Sequence, residues 1–233
     1  MLLNKETRLL VVAAHPDDEV LGCGGTLARA VAAGARTAVL FLGEGISARF
    51  PFGEYNSKEF EEQTRTRTEG AKRALQTLGI HEITFNNKRL CCQFDTIPII
   101  TLAKEIEGVV ERFKPTILFT HNSSEVNIDH RITYEAVEIA CRPTRDFIPK
   151  AIYTFEVACS GSWTFESTFK PNVYVDVSAF WEQKMKAWRC YEGESRPFPF
   201  PRSDQGLETL ARYRGMAASL PKAEGFKLMR QIF

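Results

Sequence analysis

Two short apolar runs, Arg8 to Ala14 and Thr37 to Leu42, flank a segment in which Val20, Leu21, Leu27 and Val31 share one helical face. Gly34 stops that helix, which spans Val20 to Ala33, and the strand–helix–strand order that results makes the two strands parallel neighbours. The same alternation continues. A helix is predicted over Ser57 to Leu78, a strand at Glu82 to Phe85, a helix at Pro98 to Phe113 and a strand at Thr116 to Thr120. After a polar loop, His121 to Ile128, come a helix from Asp129 to Cys141 and a strand at Ala151 to Phe155. This is an α/β pattern with a mainly parallel sheet covered on both faces. The C-terminal third reads as less regular, with a strand at Val173 to Val177, a helix at Ser178 to Tyr191, a Pro-rich stretch from Arg196 to Arg202 and a helix at Asp204 to Leu220.

Several function classes drop out early. Thirty basic against 29 acidic residues leave a net charge of +1, which offers no electrostatic footprint for nucleic acid or an anionic membrane. The apolar run ending at Ala14 is far too short for a transmembrane segment, and Met1–Glu6 lacks a basic start and apolar core, so neither export nor insertion is expected. Cys23, Cys91, Cys92, Cys141, Cys159 and Cys190 form no C-x-x-C pair and read as reduced thiols of a cytoplasmic protein. Gly22, Gly24 and Gly25 do not make G-x-G-x-x-G and follow acids that would repel a pyrophosphate; close packing of the helix on the sheet accounts for them.

Ligands bind beyond the carboxyl ends of strands in open α/β sheets, and two polar clusters occupy such places: His15-Pro16-Asp17-Asp18-Glu19 and the stretch from His121 to His130. Four ionisable groups in five residues resist burial unless a cation holds them. His15 and Asp18 are near enough on a turn to share one ion, and His130 could complete an N/O site with an open position for water. Asp17 is then free to act as general base. The competing reading of Pro16 to Glu19, and of Asp129 with His130, is ordinary capping of the following helices.

Ala-His-Pro-Asp-Asp-Glu at 14 to 19, Leu-Gly-Cys-Gly-Gly-Thr at 21 to 26 and Asn-Ile-Asp-His-Arg at 127 to 131 resemble the motifs of the PIG-L (LmbE-like) zinc-dependent de-N-acetylases. The likeness extends through Thr64 to Ile80, Tyr213 to Gly215 and Ala223 to Phe226. It implies one Rossmann-like α/β domain over residues 1–233, with Zn2+, or another divalent ion such as Fe2+, on His15, Asp18 and His130. It further implies Asp17 as the base and Asp129 as an acid that orients the site. Many members have His-Pro-Asp-His where this chain has Asn127. An Asn amide can donate to an oxyanion but cannot deliver a proton, which makes His121 the candidate acid unless it is simply a loop histidine. Arg67 and Arg202 fall where the resemblance implies substrate contacts, with solvated surface arginines as the alternative. Trp163, Phe165, Phe198 and Phe200 could wall a sugar face or belong to the core.

The activity expected is hydrolysis of an N-acyl group, acetyl first, from an amino sugar or a lipid- or nucleotide-linked sugar. A homo-oligomer is left open. The alternatives are a non-catalytic sugar- or metal-binding protein on the same fold, supported only by Asn127, and a nucleotide-dependent enzyme, for which no phosphate loop exists.

Overall fold

The computed structural model describes residues 3–86, 89–166 and 169–233. Met1 and Leu2, part of the N-terminal stretch weighed above, lie outside them. One seven-stranded sheet runs in the order β3-β2-β1-β4-β5-β7-β6. Its strands are β1 (Arg8–Ala13), β2 (Arg36–Phe41), β3 (Glu82–Phe85), β4 (Ile117–His121), β5 (Ala151–Phe155), β6 (Val173–Asp176) and β7 (Ala223–Gln231). The first five pair in parallel, while β7 runs antiparallel to both β5 and β6.

β1 is apolar at every position after Arg8 because both its faces are covered. Leu9, Val11 and Ala13 face one layer with Leu27, Leu75 and Trp188, whereas Leu10, Val12 and Ala14 face another with Ile106 and Val137. The first layer holds α1 (Asp18–Ala32), α2 (Lys58–Leu78) and α5 (Trp181–Trp188); the second holds α3 (Ile99–Phe113) and α4 (Ile128–Ala140). α6 (Asp204–Met216) packs on β7. Local signals set the helix ends. Ser57 Oγ accepts the Phe60 N–H at 3.2 Å to start α2, and Gly79 closes it at φ 80°.

The glycines of α1 are explained by approach to the sheet. A Cβ at Gly22 would lie 2.3 Å from the Phe155 ring, and one at Gly25 would lie 2.7 Å from Val177 Cβ. Two expectations are corrected. The helix predicted from Ser178 opens as a short 3-10 turn, with α5 proper beginning at Trp181. A strand not expected from the sequence, β7, also ties β6 into the main sheet. Glu224 and Gly225 break the apolar pattern there, yet both are buried. Glu224 accepts the N–H groups of Gly25 and Thr26 at 2.8 and 2.7 Å and pairs with Lys184 at 2.6 Å. A carboxylate paired in this way can be buried in a strand without a lone charge.

Candidate metal centre

β1 is the point where strand order reverses, with β2 on one side and β4 on the other, so a crevice opens beyond their carboxyl ends. His15 lies two residues beyond the end of β1, and His121 ends β4. The His15 N–H donates to Asp18 Oδ2 at 2.9 Å, folding the His-Pro-Asp-Asp turn so that both side chains point the same way. His130 enters from the first turn of α4. Donor atoms of His15, Asp18 and His130, all buried, lie within 4.8 Å of one another. Asp18 Oδ2 is 3.6 Å from His15 Nδ1, and Asp18 Oδ1 is 3.4 Å from His130 Nε2.

The far nitrogen of each histidine meets a carboxylate. His15 Nε2 bonds Asp129 Oδ2 at 2.8 Å, and His130 Nδ1 bonds Glu125 Oε2. Such partners fix the tautomer and turn the near nitrogens, Nδ1 of His15 and Nε2 of His130, toward the shared space beside Asp18. Asp129 is held in turn by the backbone N–H groups of Cys92 and Phe94, the latter at 2.9 Å. The donor set thus fits a divalent cation: two imidazoles and a carboxylate, converging and oriented from behind. Burial opposes charge on Asp18, but His130, His121 and His15 outweigh it and hold the carboxyl well below its usual range.

Asp17 sits at φ 120°, outside the ordinary left-handed basin. Its Oδ2 accepts from Arg67 Nη1 at 2.8 Å and from Arg202 Nη1 at 3.1 Å. Burial pushes its pKa up to about 6 against the pull of Arg202 and Arg67. Glu194 braces both arginines, 2.5 Å from Arg67 Nη2 and 3.6 Å from Arg202 Nη1. Beneath lies Glu19, raised to about 8 by burial, which accepts from the Asp17 N–H and the Tyr191 hydroxyl.

The sequence-based candidates therefore divide. His15, Asp17, Asp18, Asp129 and His130 come together, and Arg67 and Arg202 reach Asp17 rather than lying solvated on the surface. His121, the candidate acid, lies against the same group at the end of β4. It is fully buried behind the ligands, stacked on His130 at 4.0 Å, and its Nε2 accepts the Ala14 N–H at 3.0 Å. Its Nε2 also lies 3.4 Å from Asp18 Oδ2, and its Nδ1 has no hydrogen-bond partner among the described residues. Asn127 caps α4, its Oδ1 accepting the Asp129 N–H at 2.9 Å, while Nδ2 makes no hydrogen bond among the described residues. The aromatic residues Trp163, Phe165 and Phe198 are exposed, at 55%, 105% and 54%, and so are not core.

A family model, PIG-L: GlcNAc-PI de-N-acetylase, matches residues 10–141. The chain belongs to the PIG-L family. It is 28% identical over 242 residues to the diacetylchitobiose deacetylase of Thermococcus kodakarensis, covering 99% of this chain and 86% of that protein. It is 27% identical over 175 residues to the 1D-myo-inositol 2-acetamido-2-deoxy-alpha-D-glucopyranoside deacetylase of Thermobifida fusca, covering 60% of this chain and 57% of that protein. Among solved structures, GalB, the 4-carboxy-2-hydroxymuconate hydratase of Pseudomonas putida, matches with TM-score 0.76 at 21% identity, covering 97% of this chain and 98% of that one. That likeness shows the fold, and function has to be argued from the site.

Sequence reasoning missed Glu125 and Glu194. Glu125 had a signal, being a carboxylate inside the second histidine cluster. Glu194 had none, because only the fold carries the chain after α5 back to Arg67.

Proposed function

We propose that the protein is a metal-dependent N-deacetylase of N-acylated amino sugars or sugar conjugates, with residues 1–233 acting as one domain. The observation that carries this reading is the pairing of an oriented His15–Asp18–His130 donor set with a separate carboxylate, Asp17, held by two arginines at the same crevice. His15, Asp18 and His130 would hold the ion, Zn2+ being favoured by the two imidazoles and Fe2+ also accommodated. A divalent cation bound there would polarise an acyl carbonyl and acidify water.

The chain's own residues do the rest. Asp17 takes a proton from the attacking water and returns it to the departing nitrogen, so that amide and water become an amine and a carboxylic acid, whose proton then passes to the amine or to solvent. Arg67 and Arg202 fix the Asp17 carboxylate and lessen the cost of its charge in a buried place. Asn127 Nδ2 is free to donate to the oxygen that gains charge. The exposed Trp163, Phe165 and Phe198 offer faces for a sugar ring. The family description and the names of the Thermococcus and Thermobifida relatives support an N-acetylated sugar as substrate. No helix among the described residues is long and apolar enough to cross a membrane, and all six cysteines are free, which supports the cytoplasm as location.

The test is an amine-release screen of metal-loaded protein over N-acetylated sugars, nucleotide sugars and glycolipids. Release from at least one class, abolished by chelation, is expected; no release from any class would count against hydrolysis and leave a binding protein.

Glu125 gives a sharper check. Its Oε1 accepts from Asn122 Nδ2 at 2.9 Å and Val157 N at 3.2 Å, and its Oε2 meets His130. Glu125→Gln would set an amide NH2 against a donor on one side, so metal affinity should fall by roughly 10- to 100-fold in a chelator competition titration. Wild-type affinity would remove Glu125 from the support of His130.

For Asn127 the two roles separate. Asn127→Ala loses the cap and should cost about 1 kcal/mol of stability. Asn127→Asp keeps the cap but loses the donor, so its melting temperature should stay near wild type while turnover falls roughly 10²- to 10³-fold. Full activity in Asn127→Asp would leave capping as the residue's whole role.

A further inference from the structure

Between α4 and the strands β5 and β7 lies a cavity of about 230 Å³ that shares no residue with the metal centre. Its helix wall is Tyr134, Val137 and Cys141, at helical spacing on the face of α4 that also carries His130. Its sheet wall is Ile152 and Thr154 of β5, with Arg230 of β7 paired to Ile152. Glu138 and Arg142, both exposed, stand at the mouth.

Two polar atoms of the sheet wall are buried and unmet. Thr154 is 1% exposed, and its Oγ1 has no hydrogen-bond partner among the described residues. Thr120, its register partner on β4, gives its own hydroxyl proton to Val12 O at 3.1 Å. A strand offers no carbonyl one turn back to take the Thr154 hydroxyl, as a helix would. Arg230 Nη2 donates to Cys141 O at 2.7 Å, yet its Nε is buried without a partner, and the guanidinium makes no ion pair among the described residues. The other charges of the lining are engaged: Glu138 accepts the Tyr134 hydroxyl at 2.9 Å, and Arg142 stands 4.0 Å from Glu107. Buried donors without partners are costly, and native proteins seldom leave two in one cavity unless something else meets them.

The lining thus calls for one negative charge at Arg230 and a further oxygen at Thr154, with an apolar body between them against Val137 and Ile152. Glu138 at the mouth disfavours a dianion. An apolar cavity of about 150 Å³ is enough to hold benzene, so this one has room for a ring and its substituents. We propose that the cavity is a binding site for a small monocarboxylate with a ring-sized apolar body and a hydroxyl across the ring from the acid. The carboxylate accepts from Arg230 Nε, and the hydroxyl exchanges a hydrogen bond with Thr154 Oγ1. An occupant packs against the helix that presents His130, but its binding does not rest on the proposed hydrolysis and is read without any turnover.

The test is calorimetric titration of metal-loaded full-length protein with benzoate, 3- and 4-hydroxybenzoate and phenol. One acid should bind per chain. At least one hydroxybenzoate should bind roughly three- to tenfold more tightly than benzoate, and phenol at least about tenfold more weakly than that hydroxybenzoate. Thr154→Val keeps the shape of the side chain and removes the hydroxyl. It should erase the advantage of the hydroxybenzoate over benzoate, while the free variant melts at or above the wild-type temperature, because an unmet buried group has gone. Arg230→Gln should bring the hydroxybenzoate down to the affinity of phenol, with its melting curve as the check on folding.

Failure of every acid to bind overturns the site. Binding that both variants leave unchanged puts the acids at the crevice, with its cation and arginines, and overturns it equally. A lower melting temperature in Thr154→Val, with the hydroxybenzoate advantage intact, would make the hydroxyl a structural group and overturn its part in recognition. If Arg230→Gln does not fold, the comparison of acids in Thr154→Val decides by itself.

Discussion

His15→Ala and His130→Ala should each lose bound metal and turnover together. The three donors converge within 4.8 Å, and two ligands alone seldom hold zinc against dilution. The imidazoles are also neutral ligands whose loss cannot be made good by the buried neighbours. Asp129 and Glu125 are already committed to the histidines' far nitrogens. Metal content by elemental analysis should drop from one ion per chain to near zero, with amine release falling to background. Wild-type metal content in both variants would show that the ion sits elsewhere and sink the assignment.

Asp17→Asn should part metal from chemistry. The amide keeps the size of the side chain, and Asp17 is separate from the His15–Asp18–His130 donor set, so metal content should stay at the wild-type level. Turnover should fall by roughly 10²- to 10⁴-fold, the range for losing a general base. A second effect makes this variant more severe than mere loss of basicity. Arg67 and Arg202 both donate to Asp17 Oδ2, and a neutral amide leaves two guanidinium groups and Glu194 to rearrange at the crevice. Adding Arg202→Ala to Asp17→Asn should therefore cost much less than Arg202→Ala costs alone, a non-additivity that a double-mutant cycle reads directly. Near-normal turnover in Asp17→Asn would assign the base elsewhere.

What the sequence made legible follows from which interactions are local. The first five strands and the helices between them were readable because apolar period and turn residues lie within one short window, as in Leu9 to Ala14 and Gly34. The ligand candidates were readable because three of the five assembled acids and bases sit in consecutive or nearly consecutive positions, His15, Asp17 and Asp18, and the other two are adjacent, Asp129 and His130. Strand β7 was not, because its opening residues are buried for tertiary reasons. Glu224 is satisfied by the N–H groups of Gly25 and Thr26, some two hundred residues away, and Gly225 by close approach to Pro171 and Arg214. Glu194 was hidden for the same cause, and Arg202 was visible only as a candidate substrate contact, since their meeting with Asp17 and Arg67 exists only once the chain after α5 has folded back over the crevice. His121 was visible as a residue but not as a depth: sequence places it at a strand end, and only the packing of His130 on its face puts it behind the ligands.

The backbone of Asp17 carries a further consequence. At φ 120° a residue with a Cβ is strained by about 1 to 3 kcal/mol, whereas glycine adopts such angles with little cost. The carboxylate proposed as the base is therefore mounted on a strained part of the turn. Glycine would relieve the angle but would leave the buried Arg67 and Arg202 with Glu194 as their remaining carboxylate, so the ion pairs hold in place a residue that the backbone alone would not choose.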